Sequence, residues 1–177
     1  MADASCNLCT IFSAYQDNTD SVHPDIRGVV FNLTAKRGDE TTYETLWDMQ
    51  KEATLEEEKV RLLLALTNFE QPALLGQTLE RSLSDDVRVH DTILVVVRVG
   101  GNRHGRNMAW EFVKDNWKEF ERRYSDGLFA LSGLVGMTSR FNTQEQLEDV
   151  ESFFEAHPTP TADRAIKLVM YPSSIPE

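Results

Sequence analysis

The sequence predicts an all-α protein built as a solenoid of two-helix repeats. Amphipathic segments of about 10 to 15 residues alternate with short breaks that carry proline, glycine or a capping residue, as is typical of helices joined by tight turns. Helix starts are expected near residues 24, 40, 54, 72, 91, 104, 117, 128 and 143. A helix pair therefore begins about every 30 to 37 residues, which is the period of two-helix repeats.

The first elements are a partial N-terminal helix and loop over residues 1–22, followed by a helix that begins at a proline. Pro24 occupies a first helical position, and Gly38 is expected to end this helix in a left-handed conformation. The apolar stripe that we expect this helix to bury consists of Ile26, Val29, Val30 and Leu33.

A central helix is predicted next. Thr54 and Glu57 have the spacing of a capping box, in which each side chain satisfies a backbone N–H at the helix start. The segment from Val60 to Leu66 is almost entirely apolar, which favours a helix surrounded by other helices. Pro72 opens the following helix.

Residues 92–99 are the one segment whose composition favours a strand, because they are rich in β-branched side chains. A single strand would leave its backbone groups without partners, since no other run in the chain has a convincing strand pattern. We therefore predict a helix here, with Asp91 as its N-cap and Gly100-Gly101 as its stop.

Large apolar side chains recur at steps of three and four between residues 102 and 124. This spacing places them on one helical stripe, which we expect to be core rather than a ligand pocket. The stripe comprises Trp110, Val113, Trp117, Phe120 and Tyr124.

Further along the chain, Thr143 and Gln146 have the spacing of a capping box and predict another helix start.

Charge and hydropathy exclude several classes of protein. The 177 residues carry 18 Lys and Arg against 29 Asp and Glu, a formal net charge of -11 that would repel nucleic acid and anionic lipid. No apolar run is long enough to span a bilayer, and the first residues lack the basic and apolar parts of a signal peptide. The expected location is therefore the cytoplasm, without nucleic-acid or membrane partners.

No metal or catalytic motif is apparent. Histidines occur at positions 23, 90, 104 and 157, and no two have the spacing of a helical two-histidine zinc site. The serine-hydrolase elbow and the phosphate-binding loop are also missing. Cys6 and Cys9 form a Cys-x-x-Cys pair, which we interpret as buried structural thiols; the alternative is a redox pair with an exposed, acidic Cys6.

Several separated blocks resemble the C-terminal helical domain of zinc aminopeptidases of the puromycin-sensitive and endoplasmic-reticulum types, within the gluzincin family. The most specific is the run Gly-Arg-x-x-Ala-Trp-x-Phe-x-Lys-x-Asn-Trp at residues 105–117. The others appear in the family's order and extend the resemblance over residues 23–157: His23 to Gly28, Leu83 to Thr92, Gly100 to Arg106, and Phe141 to Phe154.

The resemblance implies a HEAT-like or armadillo-like helical core over residues 23–157 that closes a chamber around peptides bound to a separate catalytic domain. In such enzymes zinc is held by His-Glu-x-x-His and a downstream Glu, and Gly-x-Met-Glu-Asn binds the substrate amine. This chain has neither motif, so no cofactor of its own is expected. Residues 158–177 depart from the family and are expected to form an irregular tail with Pro172 and Pro176, which would leave the array truncated at both ends.

Arg103, His104 and Arg106 form a small basic cluster in an otherwise acidic chain. One hypothesis is that Arg103 or Arg106 contacts the carboxylate of a peptide held in the chamber. The alternative is a structural role, in which the arginine satisfies carbonyl groups at a helix end or pairs with an acidic neighbour.

We accordingly interpret the chain as the noncatalytic C-terminal domain, or a piece of it, of a zinc aminopeptidase. Its partners would be the catalytic domain in cis and peptide substrates. The rival interpretation is a stand-alone acidic helical-repeat module that binds a basic segment of another protein. Both interpretations share one fold.

Overall fold

The computed structural model describes residues 4–124 and 130–170, with side chains described from residue 7 onward. Within these ranges every regular element is helical, which confirms the all-α prediction and excludes the strand alternative for residues 92–99. The α-helices are α1 Ala4–Asp17, α2 Pro24–Arg37, α3 Glu40–Glu52, α4 Glu56–Leu66, α5 Pro72–Ser82, α6 Val89–Gly101, α7 Arg106–Asp115, α8 Trp117–Tyr124, α9 Ala130–Met137, α10 Gln144–Ala156 and α11 Asp163–Met170.

The chain divides into two compact units, Met1–Asp86 and Val87–Glu177, so the boundary falls inside the core predicted for residues 23–157. In the first unit α4 packs against both α2 and α3, and α1 packs against α2. Leu62, Leu63 and Leu66 of α4 are buried, as predicted for a central helix. Burial of such side chains supplies the main driving force for folding.

Helix α2 buries a different face from the one predicted. Ile26, Val29 and Leu33 are 50%, 57% and 42% exposed, whereas Phe31 is fully buried; of the predicted stripe only Val30 is buried. The rings of Phe12 and Tyr15 on α1 meet Phe31 edge-on, at centroid distances of 6.4 and 5.0 Å. These aromatic contacts orient the helix, since burying large aromatic side chains is strongly favourable.

Two predicted N-terminal caps and one predicted left-handed stop are wrong. Helix α4 begins after Leu55 without a side-chain cap, and α6 begins after Arg88, which leaves Thr54 outside one helix and Asp91 inside the first turn of the other. Asp91 instead forms an ion pair with Arg88, at 2.6 Å. The glycine at position 38 has a φ of -76°, not a left-handed value.

Close packing explains that glycine. A Cβ atom on Gly38 would lie 2.9 Å from the carbonyl oxygen of Thr34 and 2.7 Å from a methyl group of Thr42. The position therefore excludes a side chain by space and not by backbone conformation.

In the second unit α6 packs against α7 and α9. Gly100 and Gly101 are the last two residues of α6 rather than a turn that follows it. A Cβ on Gly100 would lie 2.8 Å from Met137 Sδ, so this glycine allows α6 and α9 to approach each other closely.

The predicted aromatic stripe is confirmed as core. Trp110, Val113, Trp117, Phe120 and Tyr124 are all buried, although the chain breaks at Asn116 into two helices, α7 and α8. The two tryptophans pack against Phe153 and Phe154 of α10. The capped start predicted for α10 is also confirmed, because Thr143 Oγ1 accepts a hydrogen bond from the Gln146 N–H.

The tail is more regular than expected. Residues Asp163–Met170 form helix α11, which packs against α9 and α10 and buries Met170. Asp163 and Lys167, one turn apart, form an ion pair that favours the helix. Pro172 and Pro176 lie outside the described residues.

The cysteine interpretation is wrong for one of the two residues. Cys9 is exposed, because α1 buries Phe12 and Tyr15 and turns Cys9 toward solvent. The side chain of Cys6 lies outside the described residues.

Candidate functional site

The predicted basic cluster lies on the connection between α6 and α7, and we call Arg103, His104 and Arg106 the basic turn. Arg103 and His104 are exposed, and Arg103 Nε donates a hydrogen bond to His104 Nε2 at 2.8 Å. The turn is closed locally by the His104 backbone N–H, which donates to Asn102 Oδ1 at 3.0 Å. Two of the three predicted side chains therefore face solvent together.

Arg106 has a different environment, because it is half-buried at the start of α7. Its Nη1 donates to the carbonyl oxygen of Arg140 at 3.2 Å, and its buried Nε has no hydrogen-bond partner. Arg140 in turn donates from Nη1 to the carbonyl oxygen of Gly101, at 3.2 Å. Arg106 thus satisfies a main-chain carbonyl, which is the structural role considered as the alternative.

Arg140 is the residue that sequence reasoning missed, since it lies 34 residues after Arg106 and carries no local signal. Its hydrogen bond to Gly101 places a third guanidinium beside the basic turn. Within the described residues, Arg103, Arg106 and Arg140 form no ion pair with a carboxylate. The cluster is therefore an uncompensated cationic surface that can donate charge-assisted hydrogen bonds to a carboxylate.

A groove of about 560 Å³ is the second candidate site, and it lies wholly within the first unit. We call it the α3 groove, because one wall is the C-terminal half of α3. The end of α1, the turn that follows it and the connection from α3 to α4 complete its walls. Its lining residues are Tyr15, Gln16, Thr19, Arg27, Thr45, Asp48, Met49, Glu52, Ala53, Thr54, Leu55, Glu58 and Leu62.

The floor of the α3 groove holds a buried carboxylate with several partners. Glu58 accepts a 2.5 Å hydrogen bond from the hydroxyl of Tyr15 and a 2.9 Å hydrogen bond from Arg61. Arg27 Nη1 lies 3.6 Å away from the same carboxylate. Two guanidinium groups and a phenol therefore offset the cost of burying this charge.

Arg27 is fully engaged by the protein itself. Its Nε and Nη2 donate to the carbonyl oxygens of Val22 and Thr19, at 2.9 and 2.7 Å. The guanidinium also lies 5.3 Å from the centre of the Tyr15 ring, within the range of a cation–π contact. Arg27 thus joins the turn after α1 to the floor of the groove.

The pKa of Tyr15 reports on the buried cluster around Glu58. Burial, the hydrogen bond donated to Glu58 and the negative charge of Glu58 together raise the pKa of Tyr15 to about 12. Absorbance titration at alkaline pH should show a tyrosine that ionises near this pH, and the phase should vanish in Tyr15→Phe. Because the pKa is raised on folding, the associated stability is complete below about pH 10 and should be lost as the pH rises through about 12.

A fully conserved titration curve in Tyr15→Phe would contradict this assignment. Buried Tyr43 and Tyr124 also have raised pKa values, for which desolvation is the main cause, so the difference between the two proteins isolates Tyr15.

Neither candidate site has the composition of a metal centre. Among residues 4–124 and 130–170, no three His, Cys, Asp or Glu side chains are grouped closely enough to hold a metal ion. In the same part of the chain, no helix combines the length and apolar character required to cross a bilayer.

Fold and surface together define a class of protein: an all-α helical domain that presents a cationic turn and a separate groove. Comparison with known proteins gives the family. The chain belongs to the ERAP1-like C-terminal domain family, which it matches over residues 2–170.

The relatives are much longer than this chain. Aminopeptidase N of Rattus norvegicus is 30% identical over 149 residues, covering 82% of this chain and 15% of the relative. The thyrotropin-releasing hormone-degrading ectoenzyme of Homo sapiens is 34% identical over 140 residues, covering 78% of this chain and 13% of the relative. The chain thus corresponds to only about one seventh of the length of these relatives.

Proposed function

We propose that the chain serves as the noncatalytic C-terminal helical domain of a zinc aminopeptidase, where it encloses and orients peptides for removal of their N-terminal residues. The observation that carries this proposal is the family match over residues 2–170, joined to relatives that include aminopeptidase N. The zinc and the groups that activate water belong to a catalytic domain outside this chain. The cytoplasmic location stays a prediction.

Within this function, the basic turn is the proposed peptide contact. Arg103 and His104 face solvent, and the nearby Arg106 and Arg140 donate to main-chain carbonyls rather than to carboxylates in the described part of the chain. A peptide carboxylate placed here would receive donors from a guanidinium fork without breaking an existing ion pair. Arg106 would contribute charge while it continues to hold the carbonyl of Arg140.

The test is a chimera in which this chain replaces the matching C-terminal segment of rat aminopeptidase N. We expect the chimera to cleave an amino-acid anilide and a long peptide, whereas the isolated chain with added zinc cleaves neither. Arg103→Ala combined with Arg106→Ala should raise KM for a long peptide with a free carboxylate by about tenfold or more, the loss expected for a hydrogen bond to a charged group.

The control substrate is the same peptide with an amidated C-terminus, for which the double variant should change KM little. If KM for the carboxylate peptide stays unchanged while the thermal midpoint falls, the basic turn has only a structural role. Zinc-dependent release of amino acids by the isolated chain would overturn the noncatalytic assignment.

A further inference from the structure

The α3 groove has two acidic side chains on its rim that the protein does not neutralise. Asp48 and Glu52 lie one turn apart on α3, both are exposed, and neither forms an ion pair within the described residues. The charge of Asp48 contributes to the raised pKa of Arg81. Both terminal nitrogens of Arg81, however, donate hydrogen bonds to Glu44, at 3.1 and 2.8 Å. The carboxylates on the rim therefore remain available to an external cation.

Arg27, the cation inside the α3 groove, does not neutralise Asp48 and Glu52. All three nitrogens of Arg27 are directed at Val22, Thr19 and Glu58, as described above. Glu58 is likewise satisfied by its own partners on the floor. The floor is therefore internally paired, and the net negative charge of the groove resides on its rim.

An apolar strip runs beside the acidic rim. Met49 is half-buried, and Leu55 is 67% exposed at the connection between α3 and α4. A long side chain with an aliphatic stem and a cationic head matches this arrangement, because such residues cover apolar surface while the charge stays hydrated or paired. The volume of about 560 Å³ is ample for one such side chain and its flanking backbone.

We propose that the α3 groove binds an extended peptide segment through a lysine or arginine side chain. The stem of that side chain lies along Met49 and Leu55, and its cationic head lies between Asp48 and Glu52. This site is separate from the basic turn, is selective for the opposite charge and does not depend on the proposed aminopeptidase role.

The test uses the full 177-residue chain and a fluorescein-labelled peptide, Gly-Ser-Lys-Leu-Lys-Ser-Gly, with both termini blocked. Fluorescence anisotropy should show saturable binding, and a matched peptide with glutamate in place of lysine should not bind. The double variant Asp48→Asn, Glu52→Gln should weaken binding by about fivefold or more, as expected for the loss of two ion pairs. Raising NaCl from about 50 mM to about 300 mM should weaken it as well.

The matched control is Glu70→Gln, Glu80→Gln, which removes the same charge from exposed positions of the first unit that do not line the groove. It should change the affinity by less than about twofold, because exposed charges at a distance are screened. Leu55→Ser should reduce the affinity for the lysine peptide without affecting the helical circular dichroism, since this side chain is mostly exposed.

Three outcomes would overturn the proposal: no saturable binding, equal binding of the glutamate peptide, or equal losses in the two double variants. The blocked peptide has no free carboxylate, so Arg103→Ala with Arg106→Ala should leave its binding unchanged. Failure of the proposed lysine or arginine site in the α3 groove can therefore be distinguished from failure of the proposed carboxylate contact at the basic turn.

Discussion

Replacing Trp117 with alanine should lower the free energy of unfolding by about 3 to 5 kcal/mol, the range for truncation of a large aromatic side chain in a packed core. Trp117 is 2% exposed at the start of α8. Its ring meets those of Phe153 and Phe154 on α10, each at a centroid distance of 5.5 Å. Urea unfolding followed by circular dichroism is the appropriate measurement.

The controls separate packing from general effects on α8. Lys118→Ala changes an exposed neighbour and should alter stability by less than about 0.5 kcal/mol. Trp117→Phe should cost less than about 2 kcal/mol, because it keeps the aromatic contacts and removes an indole N–H that is buried without a partner. A Trp117→Ala protein within about 1 kcal/mol of the parent would contradict the packing argument.

Glu58→Ala is expected to destabilise the first unit by about 3 to 5 kcal/mol, as when one member of a buried ion pair is removed. The Glu58 side chain is 8% exposed and the Arg27 side chain 12%. Without the carboxylate, the guanidinium of Arg27 and the hydroxyl of Tyr15 lose a shared buried acceptor. Thermal and urea unfolding of the variant both measure the loss.

Glu57→Ala is the matched comparison, because Glu57 also pairs with Arg61 but its side chain is 77% exposed. Exposed pairs contribute about 0 to 1 kcal/mol, so this variant should resemble the parent. Glu58→Gln should fall between the two, since it keeps the size of the side chain but loses its charge. Equal losses in the variants at positions 57 and 58 would show that burial of the pair is unimportant.

Much of the helical pattern was predictable because it is local. Helix starts expected at 24, 40, 72 and 117 are observed there, and those expected at 54, 91, 104 and 143 are displaced by one or two residues. The start expected near 128 lies outside the described residues. Proline at a first helical position and steps of three and four between apolar residues are properties of the helix itself. The same steps correctly placed the stripe from Trp110 to Tyr124 in the core.

The candidate sites were predictable only in part. Arg103, His104 and Arg106 are adjacent in sequence, so their grouping was visible, whereas the contribution of Arg140 depends on a hydrogen bond to Gly101 across 39 positions. The α3 groove had no sequence signal, because its lining comes from α1, α2, α3 and α4 and their connections. Exposure of Cys9 likewise followed from the packing of its helix.

The sequence alone determined that the chain is helical, where most of its helices begin to within two residues, and which aromatic stripe is buried, because helix periodicity and capping act within a few residues. Tertiary structure decided which face of α2 is covered and which arginines meet carboxylates or carbonyls. Those outcomes depend on competition between faces and partners more than 30 residues apart, such as the contact of Tyr15 with Glu58. The local sequence pattern does not encode that competition. Its outcome depends on how much apolar surface each alternative arrangement of the helices removes from water.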